Sequence, residues 1–112
     1  METETIETGS RGEVMACRMD VFDPAQKARH DELQQSFPAV LQEARELPHG
    51  YAYRLAPRPE VFLGAAEWIT LDRLCCPFID FRLEWKNGET WLSLTGSTGV
   101  KEFLTATREG VR

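Results

Sequence analysis

The sequence predicts an α+β domain in two layers: a four-stranded mixed sheet with a C-terminal β-hairpin and three main helices, in the order βαβαββα. Three observations predict it. A helix-start signature at Asp23-Pro24-Ala25-Gln26 leads into an apolar stripe. A second helical pattern is stopped by Pro77. An Asn87-Gly88 pair is flanked by alternating apolar residues.

Each element follows from local chemistry. Met15, Cys17, Met19 and Val21 share one face, with Arg18 and Asp20 opposite, which predicts a first strand over about 14–21. Asp23 is a good N-cap, Pro24 suits the first helical position, and Gln26 completes a capping box. The helix that follows is expected over 24–47, carried by Leu33, Phe37, Val40, Leu41, Ala44 and Leu47. Pro38 removes a donor and restrains Phe37, so a kink or break is expected near 36–38. Pro48-His49-Gly50 ends the segment. Tyr51, Tyr53 and Leu55 alternate with Ala52 and Arg54 as a second strand. Glu60 to Cys75 reads as a second helix, with Val61, Ala65, Trp68, Leu71 and Cys75 near one face. Pro77 forces Cys76 out of helical geometry.

The hairpin is the most strongly determined element. A two-residue type I′ turn at Asn87-Gly88 pairs Lys86 with Glu89, Trp85 with Thr90, Leu83 with Leu92 and Phe81 with Leu94. That register puts Phe81, Leu83, Leu92 and Leu94 on one face, so turn and apolar pattern agree. Gly96-Ser97-Thr98-Gly99 then turns into a last helix over about 99–108, with Val100, Phe103 and Leu104 inward. Helices are expected to cover one face of the sheet.

The chain has 112 residues, 42% of them hydrophobic, enough for one core and too few for two. Residues 1–12 read as a disordered acidic tail and 13–112 as the single domain. The net charge is −5, with four glutamates against Arg11 in the first 13 residues. This leaves no basic excess for gripping nucleic-acid phosphates. No apolar run approaches the roughly 20 residues of a membrane span. The acidic start lacks the apolar core of a secretion signal, so a cytoplasmic protein is expected.

Chemistry concentrates in the cysteines. There are three, Cys17, Cys75 and Cys76, an odd number expected to remain as thiols in a reducing compartment. Asp72 lies one helical turn before the Cys75-Cys76 pair, which brings a carboxylate near the sulfurs. If the first strand runs beside the third, Cys17 joins them. Three thiolates would suit a soft metal ion: zinc, copper(I) or a heavy metal such as mercury(II) or arsenic(III). The fourth position would fall to Asp72, His30, His49 or water, or stay empty. The competing reading is that the cysteines only pack, since thiols are among the most buried side chains. Adjacent cysteines lack zinc-knuckle spacing, and a helix C-terminus disfavours thiolate.

The run Asp72-Arg73-Leu74-Cys75-Cys76-Pro77-Phe78-Ile79-Asp80-Phe81-Arg82-Leu83, followed by Thr95-Gly96-Ser97-Thr98-Gly99, resembles a set of short bacterial proteins without an assigned activity. They carry a Glu-Arg-x-Cys-Cys-Pro-Phe signature, an alternating strand and a Thr-Gly-x-x-Gly turn. Asp72 stands where that signature has Glu. The resemblance implies that the Cys-Cys turn is a hallmark of the group.

Other residues are weaker candidates. Glu67 could approach Asp72 as a paired carboxylate for acid–base work, although an exposed helix glutamate explains it as well. His30, in a polar part of the first helix, and His49, in a turn, are expected on the surface. Gly96-Ser97-Thr98-Gly99 reads as a turn more readily than as an anion site. Trp91 falls opposite Glu84, away from the core face, so Trp91, Arg82 and Glu84 could form a homodimer interface or ligand surface. The expected function is a cysteine-centred site that binds a soft metal or reacts as a thiol, with Cys17, Cys75 and Cys76 as ligands. Asp72 would be an outer partner, and no turnover is implied. The alternative is a non-enzymatic interaction or ligand-binding domain, expected to be oligomeric because a small domain often buries a second sheet face by pairing, whose cysteines only pack.

Overall fold

In a computed structural model, residues 18–107 are described; the acidic tail expected over 1–12 and Cys17 lie outside them. A single 3-10 turn at Met19–Val21 leads to α1 (Pro24–Val40), β1 (Leu41–Leu47), β2 (Gly50–Leu55), α2 (Pro59–Cys75), β3 (Asp80–Lys86), β4 (Glu89–Thr95) and α3 (Val100–Thr107). The strands form one antiparallel sheet in the order β1-β2-β4-β3. The domain is therefore α+β with four strands, as expected. The sheet is antiparallel rather than mixed, and the order βαβαββα does not describe it.

Two expectations are corrected. The first strand, placed at 14–21, is not seen in its described part. Met19–Val21 curls into a 3-10 turn closed by the Val21 N–H on the Arg18 carbonyl at 3.1 Å, just before Pro24. The long helix over 24–47 ends at Val40, and 41–47 is a strand. Pro38 cannot donate to the carbonyl of Gln34, which weakens the last turn. Leu41-Gln42-Glu43-Ala44-Arg45-Glu46-Leu47 is rich in helix formers, yet it pairs with β2 across a Pro48-His49 turn. Ladder hydrogen bonds to a neighbouring strand override local propensity there.

The remaining elements match expectation. The α1 cap is a complete capping box: the Asp23 carboxylate accepts from the Gln26 N–H at 2.8 Å, and the Gln26 side chain accepts from the Asp23 N–H at 3.0 Å. The β3–β4 register follows the predicted pairs, with Asn87 at φ 54° and Gly88 at φ 75° in the turn. The connection β2–α2–β3 steps over β4, so β2 and β3 run the same way with β4 between them.

All three helices lie on one sheet face. The core forms between Tyr53, Leu55, Leu92 and Leu94 of the sheet and Leu33, Phe37, Ala65 and Trp68 of the helices. Trp68 meets Phe37 and Phe81 edge-on, with centroids 5.2 and 5.7 Å apart. Lys101 of α3 reaches Glu46 of β1, and the Tyr51 hydroxyl shares a hydrogen bond with Thr105. Helices α1 and α2 pack antiparallel, as His30 meets Asp72 and Gln34 meets Trp68. No described helix is long and apolar enough to cross a membrane.

Candidate metal centre

The antiparallel pairing of α1 and α2 sets the start of one helix against the end of the other. His30, in the second turn of α1, is 6% exposed and shares a 2.8 Å hydrogen bond from Nε2 to Oδ1 of Asp72, which is 1% exposed. Sequence reasoning placed His30 on the surface, and the structure corrects this. The signal was present: His30, Leu33 and Phe37 fall at i, i+3 and i+7, and all three are buried. The imidazole lies between Phe22, at 5.0 Å, and Trp68, at 6.4 Å between centroids.

Asp72 and Cys75 are one turn apart on α2, as their spacing predicted. The Cys75 Sγ lies 3.6 Å from Asp72 Oδ1 and donates to the Asp72 carbonyl at 3.4 Å. Cys76 caps the helix at φ −130°, ψ 66°, and its N–H donates to the same carbonyl at 2.8 Å. Pro77 prevents a further turn. Cys75 and Cys76 point their sulfurs toward each other, 3.6 Å apart, far beyond a disulfide bond of about 2.05 Å. Both are fully buried.

One ligand atom each from His30, Asp72 and Cys75 lies within 4.8 Å of the others. The separations can be compared with coordination geometry. Zinc bonds of about 2.3 Å to sulfur and about 2.0 Å to oxygen imply tetrahedral edges of roughly 3.8 Å for S···S and 3.5 Å for S···O. The observed 3.6 Å for both contacts fits each edge. The 2.8 Å His30–Asp72 contact is a hydrogen-bond distance, roughly 0.5 Å shorter than an N···O edge. An ion would therefore displace the shared proton and part this pair slightly. The donor set of sulfur, nitrogen and oxygen suits a borderline ion.

One polar atom of this cluster is unsatisfied. His30 Nδ1 is buried and has no hydrogen-bond partner among the described residues; the Asp31 carboxylate lies 4.0 Å away. A metal on Nε2 would leave the ring proton on Nδ1, and ligating histidines characteristically donate that proton to a carboxylate. Asp31, the neighbouring residue, is the carboxylate in place.

The other expected site residues lie apart. Glu67 is held by Arg29 through two bonds of 2.9 and 2.7 Å, an ion pair between α1 and α2. The Arg29 hydrogen bonds hold its carboxyl below the ordinary glutamate value of 4.5, and partial burial opposes the shift. His49 is an exposed turn residue whose carbonyl accepts from the Gly96 N–H at 3.2 Å. Ser97 and Gly99 close the turn into α3, their carbonyls accepting from the Val100 and Phe103 N–H groups. Trp91 does lie opposite Glu84, on the sheet face turned away from the three described helices. It is half-buried there, with the Arg45 guanidinium 4.5 Å from its ring centroid and Nε1 donating to Glu89. Arg82 is exposed and Glu84 half-buried on that face. Cys17 lies outside the described residues; the next residue, Arg18, donates its backbone N–H to the Cys75 carbonyl at 2.8 Å.

No protein-family model, no curated protein and no solved structure matches the chain.

Proposed function

We propose that this protein binds a single borderline metal ion, zinc in the first place, between the start of α1 and the end of α2. His30, Asp72 and Cys75 would be ligands, and Cys76 the flanking thiol. The observation that carries this reading is three buried donors of different chemistry within 4.8 Å, one of them a histidine whose second nitrogen lacks a hydrogen-bond partner among the described residues. Zinc is favoured over a linear two-thiolate ion. Sulfurs on opposite sides of such an ion would stand roughly 4.6 Å apart at bonds of about 2.3 Å, against the 3.6 Å between Cys75 and Cys76. Cys17 enters as a fourth donor to be tested, because Arg18 is bonded to Cys75. The reading requires reduced thiols and so a reducing compartment such as the cytoplasm. It is a binding function, and no reaction is assigned.

The test is zinc titration against a chromophoric chelator, with stoichiometry read by native mass spectrometry. One equivalent is expected to bind. Cys75→Ser and His30→Gln are each expected to weaken binding by about 100-fold or more, with the fold checked by circular dichroism. The Cys76→Ser and Cys17→Ser variants identify the fourth donor. Failure to retain zinc, or retention undiminished in Cys75→Ser and His30→Gln, would leave Cys75 and Cys76 as packing residues, which their complete burial would then explain.

A further inference from the structure

β3 is an edge strand: among the described residues it pairs only with β4. Its residues, Asp80-Phe81-Arg82-Leu83-Glu84-Trp85-Lys86, are complementary to themselves when reversed. We propose that two copies of this chain pair antiparallel through β3 about a two-fold axis at Leu83, joining their sheets into one of eight strands. In that register Asp80 faces Lys86 of the second copy and Arg82 faces its Glu84. Phe81 faces its Trp85, and Leu83 faces its own counterpart. Every charged residue meets the opposite sign, and every apolar residue meets an apolar one.

Four independent features of the edge agree. First, the two-residue turn makes Lys86 and Glu89 a hydrogen-bonded pair. Alternation then directs the backbone groups of Phe81, Leu83 and Trp85 outward, and these are the residues that would face one another. Second, among the described residues none of the charged side chains of Asp80, Arg82, Glu84 and Lys86 has an ion-pair partner. The charged side chains at the opposite edge, Glu43, Arg45 and Glu46, all have one. Third, Trp85 is 50% exposed and packs edge-on against Phe62 of α2, at 5.9 Å. Ala66 and Ile69 continue that half-buried flank of the helix, so apolar surface borders the strand on its helix side. Fourth, β1 is interrupted by an irregularity between Leu41 and Glu43, a device that discourages edge pairing, whereas β3 pairs without a break.

The experiment measures the mass of the full chain in solution by sedimentation and light scattering. The wild type is expected at twice 12.8 kDa. Arg82→Glu sets carboxylates opposite one another on both sides of the axis and is expected to give the monomer mass with an unchanged circular dichroism spectrum. The double variant Arg82→Glu/Glu84→Arg restores opposite signs across the axis and is expected to recover the dimer. A monomeric wild type would overturn the proposal. So would a dimer that survives Arg82→Glu, or a double variant that stays monomeric.

Discussion

Arg29 forks onto Glu67 and Glu32, so a single guanidinium ties α2 to α1 from the solvent side. Its effect on Glu67 has a definite sign. A carboxyl held below 4.5 in the folded chain contributes stability in full above its unfolded value; that contribution is lost as pH falls through the folded value. Glu67→Gln is therefore expected to melt below the wild type at neutral pH, with the two melting temperatures converging as the pH falls below 4.5 and through the folded value. A difference that stays constant with pH would show that the pair is not the cause. The pairing was not legible in the sequence, because Arg29 and Glu67 meet only once α1 and α2 are set antiparallel. Asp72 and Cys75 were legible, since one helical turn separates them. His30 was readable from its spacing with Leu33 and Phe37, but its polarity and its neighbour Arg29 argued for the surface.

At the scale of elements, agreement followed the number of independent signals. In β3–β4 the turn chemistry of Asn87-Gly88 and the alternation of four apolar residues specify the same register, and that register is observed. In 41–47 both composition and apolar spacing favoured helix, and only the partner strand decides otherwise. The Pro48-His49 hairpin brings β2 alongside, and Gly50 makes the junction with β4 possible. A Cβ on Gly50 would stand 1.9 Å from the Leu94 carbonyl oxygen, inside any tolerable contact. Gly50→Ala is expected to cost about 3 kcal/mol, the upper part of the usual range for overpacking. Urea denaturation measures this, and a cost below about 1 kcal/mol would mean that the β2–β4 seam yields easily. A Cβ on Gly88 meets nothing within 4 Å, so the turn there constrains the backbone rather than the packing.

The whole molecule is asymmetric across its sheet. Among the described residues three helices cover one face, while the other carries Arg45, Ala52, Glu84, Trp91 and Ser93, its tryptophan screened by an arginine. The expected use of this face as an interface shifts to the neighbouring edge in the dimer proposed here, with Arg82 and Glu84 kept as contact residues. The strand order β1-β2-β4-β3 also dictates a history for each chain. Two hairpins close over two-residue turns, which is fast and local, within about 1–10 μs. The central seam joins Leu55 to Thr90 and Gly50 to Thr95, positions separated by the whole of α2 and β3. Closing that distance costs chain entropy before any contact repays it, so the docking of one hairpin on the other should set the folding rate. Leu94→Ala, a seam residue, is then expected to slow refolding in stopped-flow experiments. If it only accelerated unfolding, the seam would form after the barrier. The middle of the sheet, its best-buried part, is on this account the last to be decided.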